Sequence, residues 1–211
     1  MLQIKVTDFK REEVCQAVSI QIQELSEGFL SSFGPRALGL IFTHISQSRW
    51  GIFVIAVDSA SKHVLGYILG AVDTSRLYRE FLLKKAPVAA IFFLPKMLSL
   101  TRIKKAFETL LYPAKERSAA LPKAELLDLA VRSDYHGTGV AQQLFKTFVA
   151  ECKSRGLEDF KIPTSKSLVR AHRFYEKMGA KRQASSIEIH KGAETFVYVF
   201  DVNDHVEEIS Q

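Results

Sequence analysis

Residues 124–152 read AELLDLAVRSDYHGTGVAQQLFKTFVAEC, from Ala124 to Cys152. The apolar run that ends at Val131 predicts a strand. A short polar turn follows, and His136-Gly137-Thr138-Gly139-Val140-Ala141 opens a periodic segment. In that segment Val140, Ala141, Leu144, Phe145, Phe148, Val149 and Cys152 recur at helical spacing, so they predict one apolar helix face. A glycine turn leading into a helix leaves several backbone N–H groups without intrahelical partners, and the helix dipole adds positive potential there. Such a turn suits a phosphate group.

Working outward, the chain has 211 residues, 47% of them hydrophobic, with 15 Phe, enough for one domain with a substantial core. Gln3 to Thr7 alternates like a strand. Asp8 is a candidate cap for a helix from about Arg11 to Leu25, with Val14, Val18, Ile22 and Leu25 on one face. Pro35 suits the first turn of a second helix, ending near Ser46. Between them lie Phe29, Leu30 and Phe33, read as core packing or as part of a substrate groove. Ile52–Val57 and His63–Gly70 predict a hairpin across Asp58–Lys62, with His63 a solvated hairpin residue. Gly66 and Gly70 inside a strand point to a bulge or a close backbone approach.

Residues 73–123 break the alternation. Arg76–Lys85 and Ser99–Leu111 read as helices, separated by an apolar run between Pro87 and Pro95. After the central helix, which Gly156 stops, Asp159–Pro163 reads as a short strand ended by its proline. Leu168–Met178 reads as a helix, and Gln183–His190 and Thr195–Asp201 as a hairpin across Lys191-Gly192. The expected organisation is a single domain over 1–205, a basic and apolar helical insertion at about 73–123, and a polar tail over 206–211.

The net charge of +6 is uneven. Arg76 to Arg117 holds ten Lys/Arg against three Glu, while the rest of the chain holds 19 basic and 20 acidic residues. One locally basic face fits these counts better than a nucleic-acid-coating protein. Cys15 and Cys152 read as buried thiols of a reducing compartment. The start of the chain lacks a signal-peptide pattern, and no apolar run is long enough to span a bilayer. A cytoplasmic protein is the expectation, with no nucleic-acid partner and no metal. The basic insertion suits an anionic substrate or a peripheral membrane contact, and a homodimer is a further expectation.

A Walker loop is absent, and a dinucleotide fingerprint fails at Gln142, where a third glycine is needed. The loop instead resembles the pyrophosphate loop of the GNAT superfamily of N-acetyltransferases, Gln/Arg-x-x-Gly-x-Gly/Ala after an apolar strand. Downstream, Ala171-His172-Arg173-Phe174-Tyr175-Glu176-Lys177-Met178-Gly179-Ala180 resembles that family's Ala-x-x-Phe-Tyr-Glu-Lys string. His136 stands where the family has Gln or Arg, and Leu168 where many members have Asn.

The resemblance implies an α/β (α+β) fold with a central, mostly antiparallel mixed sheet of about six to seven strands, splayed at the cofactor site and flanked by helices. It also implies acetyl-CoA as acyl donor and an amine as acceptor, joined by direct attack in a ternary complex. A small molecule or sugar is the expected acceptor. A protein or peptide amine, or a non-catalytic acyl-CoA sensor or scaffold, is the alternative. His136, Gly137, Thr138, Gly139, Val140 and Ala141 would cradle the pyrophosphate. Leu129, Ala130 and Val131 would pair with the pantetheine arm, with Ala171 and Phe174 nearby. Tyr175 would protonate the leaving thiolate. The base is Glu125, Asp128 or water. Simple alternation puts the two carboxylates on opposite strand faces, and a bulge would change that.

Overall fold

The computed structural model describes residues 2–25, 34–93, 121–190 and 193–203. Phe29, Leu30, Phe33, the helix expected over Ser99–Leu111, the Lys191-Gly192 turn and the tail lie outside the described residues. Seven strands form one sheet in the order β1-β2-β3-β4-β5-β7-β6. They are β1 Leu2–Lys5, β2 Gly51–Asp58, β3 Val64–Ala71, β4 Glu125–Val131, β5 Asp159–Ser165, β6 Lys181–His190 and β7 Ala193–Asp201. All described pairings are antiparallel except β4 with β5. The helices are α1 Arg11–Glu24, α2 Pro35–Gln47, α3 Thr74–Phe93, α4 Val140–Ser154 and α5 Val169–Lys177. No described helix is long and apolar enough to cross a membrane.

The sheet separates two cores. On one face the predicted stripe of α4 is buried with Ile52, Ile68, Leu126, Phe160 and Tyr175. Phe145 and Phe148 contact Phe160 edge-on or tilted, with ring centroids 6.1 and 5.1 Å away. On the other face α1 and α2 bury Val14, Val18, Leu38 and Phe42 against Phe53 and Tyr67. Gly70 lies beneath α4, where a Cβ would sit 2.3 Å from the Phe148 ring. The ladder also shifts register between Leu69 and Gly70. Both readings of that glycine, bulge and close approach, therefore hold at one place.

Four local expectations change. Lys10, not Asp8, is the N-cap of α1, and Asp8 sits at φ 54° just before it. The Glu13 carboxylate accepts the Lys10 N–H at 2.7 Å and the Lys5 ammonium at 2.7 Å, so the first turn is held from within. Cys15 is exposed, because the inward face of α1 runs through Val14, Ala17, Val18 and Gln21. Pro87 lies inside α3 instead of ending the helix near Lys85, so one backbone bond to the carbonyl of residue 83 is forgone.

Pro163 also does not end its strand. β5 stays paired with β7 through Ser165↔Thr195. The Lys161 N–H donates to the Ala124 carbonyl, so β5 residues of that parity face β4. β4 and β5 are paired only at Glu125↔Lys161. Beyond that point the Pro163 nitrogen faces a widening gap, and no ladder bond is lost.

Candidate active site

The site begins at the fork between β4 and β5. Glu125 and Lys161 mark its closed end. Both are buried, and the Lys161 ammonium lies 3.6 Å from the Glu125 carboxylate. Thr74, at the start of α3, donates its hydroxyl to the same carboxylate at 3.1 Å. Removing one partner from such a buried pair leaves an uncompensated charge, so the pair acts as a clasp at the apex of the fork. Glu125 is thus tied at the apex. Lys161 and Thr74 were not expected here, although Lys161 between Phe160 and Ile162 in an apolar strand was a visible signal.

Past the clasp, β4 carries a bulge. Leu126 pairs with Gly70 but Asp128 with Leu69, which leaves Leu127 as the extra residue. Leu126 and Leu129 then pack on the α4 face, while Leu127 and Ala130 pack on the α1/α2 face. Asp128 bonds Tyr67, a core residue of the α1/α2 face. Glu125 and Asp128 therefore share one face, against the simple alternation.

Asp128 is half-buried. Its Oδ2 accepts the Tyr67 hydroxyl at 3.0 Å, and that hydroxyl also bonds Gln21 of α1. Burial pushes the Asp128 carboxyl up to about 6, against the lowering effect of bonds from Tyr67, the Leu129 N–H and Gln21. The ionised form is held by donors yet kept poorly solvated, and this makes it a stronger base than a surface aspartate.

Tyr175 approaches from the other core. It is the one buried residue of α5 and packs by Phe145, Phe174 and Tyr198. Burial, and then the charge of Asp128, holds its phenol well above the usual range. That influence of Asp128 links the two groups although they belong to opposite cores.

α5 is fixed by a partly buried network. His172 Nε2 donates to the Ser165 carbonyl at 3.0 Å, and Nδ1 lies 2.9 Å from the Tyr198 hydroxyl. Tyr198 in turn bonds Glu176 at 3.1 Å. These contacts tie the helix that carries Tyr175 to β5 and β7, and nothing in the local pattern of residues announced them. Ala171 and Phe174 are partly buried against the α4 core, and Leu168, at the N-cap of α5, is exposed.

At the open end of β4 the glycine turn has the anticipated geometry. Gly137 and Gly139 take φ 78° and 88°, in the left-handed region. A Cβ at Gly137 would meet nothing within 4 Å, so the backbone lies open to an approaching group. Gly139 caps α4 without a side-chain bond, and the first intrahelical bond of this turn is from the Gln143 N–H to the Gly139 carbonyl. The N–H groups of Val140, Ala141 and Gln142 thus have no intrahelical acceptor. Thr138 bonds inward, its hydroxyl donating to the Tyr135 carbonyl at 2.7 Å. Chain geometry, N–H supply and open space all fit a pyrophosphate.

The strand edge is more selective than expected. Arg132 donates its N–H to the Leu65 carbonyl, which fixes the parity of β4 against β3. Ala130 therefore turns its N–H and C=O toward β3, while Leu129 and Val131 turn theirs to the fork. The His136 ring folds back, and its Nε2 donates to the Val131 carbonyl at 2.8 Å. Of the three residues expected to pair with a ligand arm, Ala130 is committed to the sheet and Val131 keeps only its N–H for the gap.

No curated protein sequence matches the chain. Among solved structures, SsHAT superposes with a TM-score of 0.70 at 18% identity, over 96% of this chain and 99% of its own. Ard1 from Thermoplasma volcanium gives 0.60 at 15% identity, over 96% and 99%. PaiA N-acetyltransferase from Thermoplasma acidophilum, in complex with coenzyme A, gives 0.59 at 13% identity, over 95% and 99%. At these identities the likeness is one of fold. The sequence model of the Acetyltransferase (GNAT) family matches residues 21–180, which run from the last turn of α1 to just past α5 and hold the fork, the bulge and the glycine turn, and the chain belongs to that family.

Proposed function

We propose that the protein transfers the acetyl group of acetyl-CoA to an amine of a small molecule or sugar, by direct attack within a ternary complex. The observation that carries this reading is the fork itself. β4 parts from β5 beyond Glu125↔Lys161, carries Asp128 and runs into the glycine turn, and α5 carries Tyr175, which supports these two as base and acid. The N–H groups from Gly137 to Ala141 would hold the pyrophosphate, and the β4 edge at Leu129 and Val131 would align the pantetheine arm. Pro163 offers no N–H to the gap, which leaves pairing to β4. PaiA, of similar fold, was crystallised with coenzyme A, which supports the same donor here.

Asp128 takes the proton of the attacking amine as the new C–N bond forms. Its carboxyl, pushed up to about 6, is ionised at neutral pH yet basic enough to be a useful acceptor. The Val131 N–H on the β4 edge faces the developing oxyanion, since the Leu129 N–H is held by the Asp128 carboxylate. As the C–S bond breaks, Tyr175 gives its proton to the departing thiolate and regains one from solvent. Glu125, clasped by Lys161 and Thr74, shapes the apex and takes no proton. A thiol-release assay with acetyl-CoA against amino sugars, polyamines and peptides tests the reading. Release that depends on one amine class supports it, whereas tight acetyl-CoA binding without release on any acceptor would favour a sensor.

A further inference from the structure

A cavity lies between the end of α2 and the first half of α3, and no residue of the glycine turn lines it. Its volume is about 660 Å³, within the usual range of small-ligand sites. Arg49, Trp50, Arg76, Arg79, Glu80 and Lys84 line it, four cations against one carboxylate. We propose that this cavity binds a phosphate-bearing ligand, at a site separate from the glycine turn.

The wall is held in place before any ligand arrives. Trp50 donates its N–H to the Ser48 hydroxyl at 3.1 Å, and its carbonyl accepts the Val72 N–H at 2.8 Å. Arg155 bonds the carbonyls of Arg49 and Gly51 at 3.3 and 2.8 Å. Gly51 is pressed onto α2 so closely that a Cβ would lie 2.1 Å from the Ile45 carbonyl oxygen. Two guanidiniums, of Arg49 and Arg76, each sit 4.6 Å from the Trp50 ring centroid. A wall fixed in this way loses little freedom on binding.

Charge selects the ligand. Lys84 is paired with Glu80, which also accepts the Ser48 hydroxyl, and Arg76 is paired with Asp73 at 3.4 Å. Among the described residues, Arg49 and Arg79 pair with no carboxylate. Two uncompensated guanidiniums match the roughly two negative charges of a phosphate monoester, and their planar forks suit its oxygens. A monocarboxylate would leave one of them unmatched. The same chemistry could come from a soluble phosphate monoester or from a lipid headgroup. Leu82 and Leu83, 43% and 75% exposed, follow on the same helix and would rest on a lipid surface.

Trp50 is the only tryptophan in the chain, so its fluorescence reports on this cavity. The experiment titrates phosphate, and acetate at matched ionic strength, into the full chain saturated with coenzyme A, which blocks the glycine turn. The expected result is a saturable change with phosphate, at least tenfold weaker in Arg79→Ala and Arg49→Ala, and no saturation with acetate. Both arginines are exposed, and far-UV circular dichroism checks that the variants fold. A second arm sediments the protein with phosphatidic acid vesicles and with phosphatidylcholine vesicles. Sedimentation with the former alone, lost in Arg79→Ala, assigns the lipid headgroup; saturation by free phosphate without sedimentation assigns a soluble ligand. Equal responses to phosphate and acetate without vesicle binding overturn the proposal, and so does binding undiminished in both variants. Because binding is read directly, failure here leaves the acetyl-transfer reading untouched.

Discussion

At the scale of single residues, Asp128 and Tyr175 make separable predictions. In the wild type, kcat/KM should rise with pH through an apparent pKa of about 6, as Asp128 ionises. Asp128→Asn should lower turnover at least a hundredfold and remove that limb from the pH profile. The same change should affect stability in the opposite direction. Burial raises this carboxyl from 3.8 to about 6 on folding, so the native state binds the proton more tightly. Stability from this group is present below pH 4, declines as pH rises to about 6, and stays reduced above it, by on the order of 3 kcal/mol. Asp128→Asn should thus melt higher than wild type at pH 8 and lose the advantage near pH 4, by calorimetry at both values. Tyr175→Phe should lower turnover at least tenfold with little change in acetyl-CoA affinity. Unchanged turnover would retire the general-acid role.

At the scale of elements, the fork depends on its clasp and the donor site on its turn. Lys161→Met should destabilise the fold by about 3–5 kcal/mol in urea unfolding, because the buried Glu125 carboxylate loses the Lys161 ammonium. Glu125→Leu combined with Lys161→Met should recover most of the loss, since no charge then stays buried. Gly139→Ala forces a side chain into φ 88° and should cost about 1–2 kcal/mol. It should also weaken coenzyme A binding, measured by titration calorimetry, because the N–H groups that follow would re-aim. Much of this level was legible in the chain. The stripe from Val140 to Cys152 and the two glycines announced the turn and its helix, since local spacing decides both. Gly70 pointed to a bulge on β3, but that the extra residue is Leu127 of β4 was not legible, because it depends on the pairing of two strands far apart in the chain.

At the scale of the whole molecule, ligand binding should couple to the entire fold, because the glycine turn joins the central strand to the central helix. Coenzyme A at a hundred times its Kd should add about 2.7 kcal/mol. For a chain of this size that corresponds to a rise in melting temperature of roughly 5–11 °C. A smaller rise in Gly139→Ala at the same concentration would locate the effect at the turn. The charge map belongs to this scale too. The counts already placed the excess of cations in residues 76–117. Only the packing of α3 beside the end of α2 brought Arg76, Arg79 and Lys84 together with Arg49 and Trp50.

The amino-acid sequence by itself determined the family, the order of strands and helices, the glycine turn and the tyrosine helix. Each is written in contiguous residues, where backbone sterics and hydrophobic spacing act over a few positions. The tertiary structure alone decided which carboxylate bonds Tyr67 and which is clasped by Lys161. It also decided that His136 turns back onto Val131, and that Pro163 stays within its strand. These outcomes rest on contacts between residues far apart in the chain, and burial and register exist only once the sheet has closed.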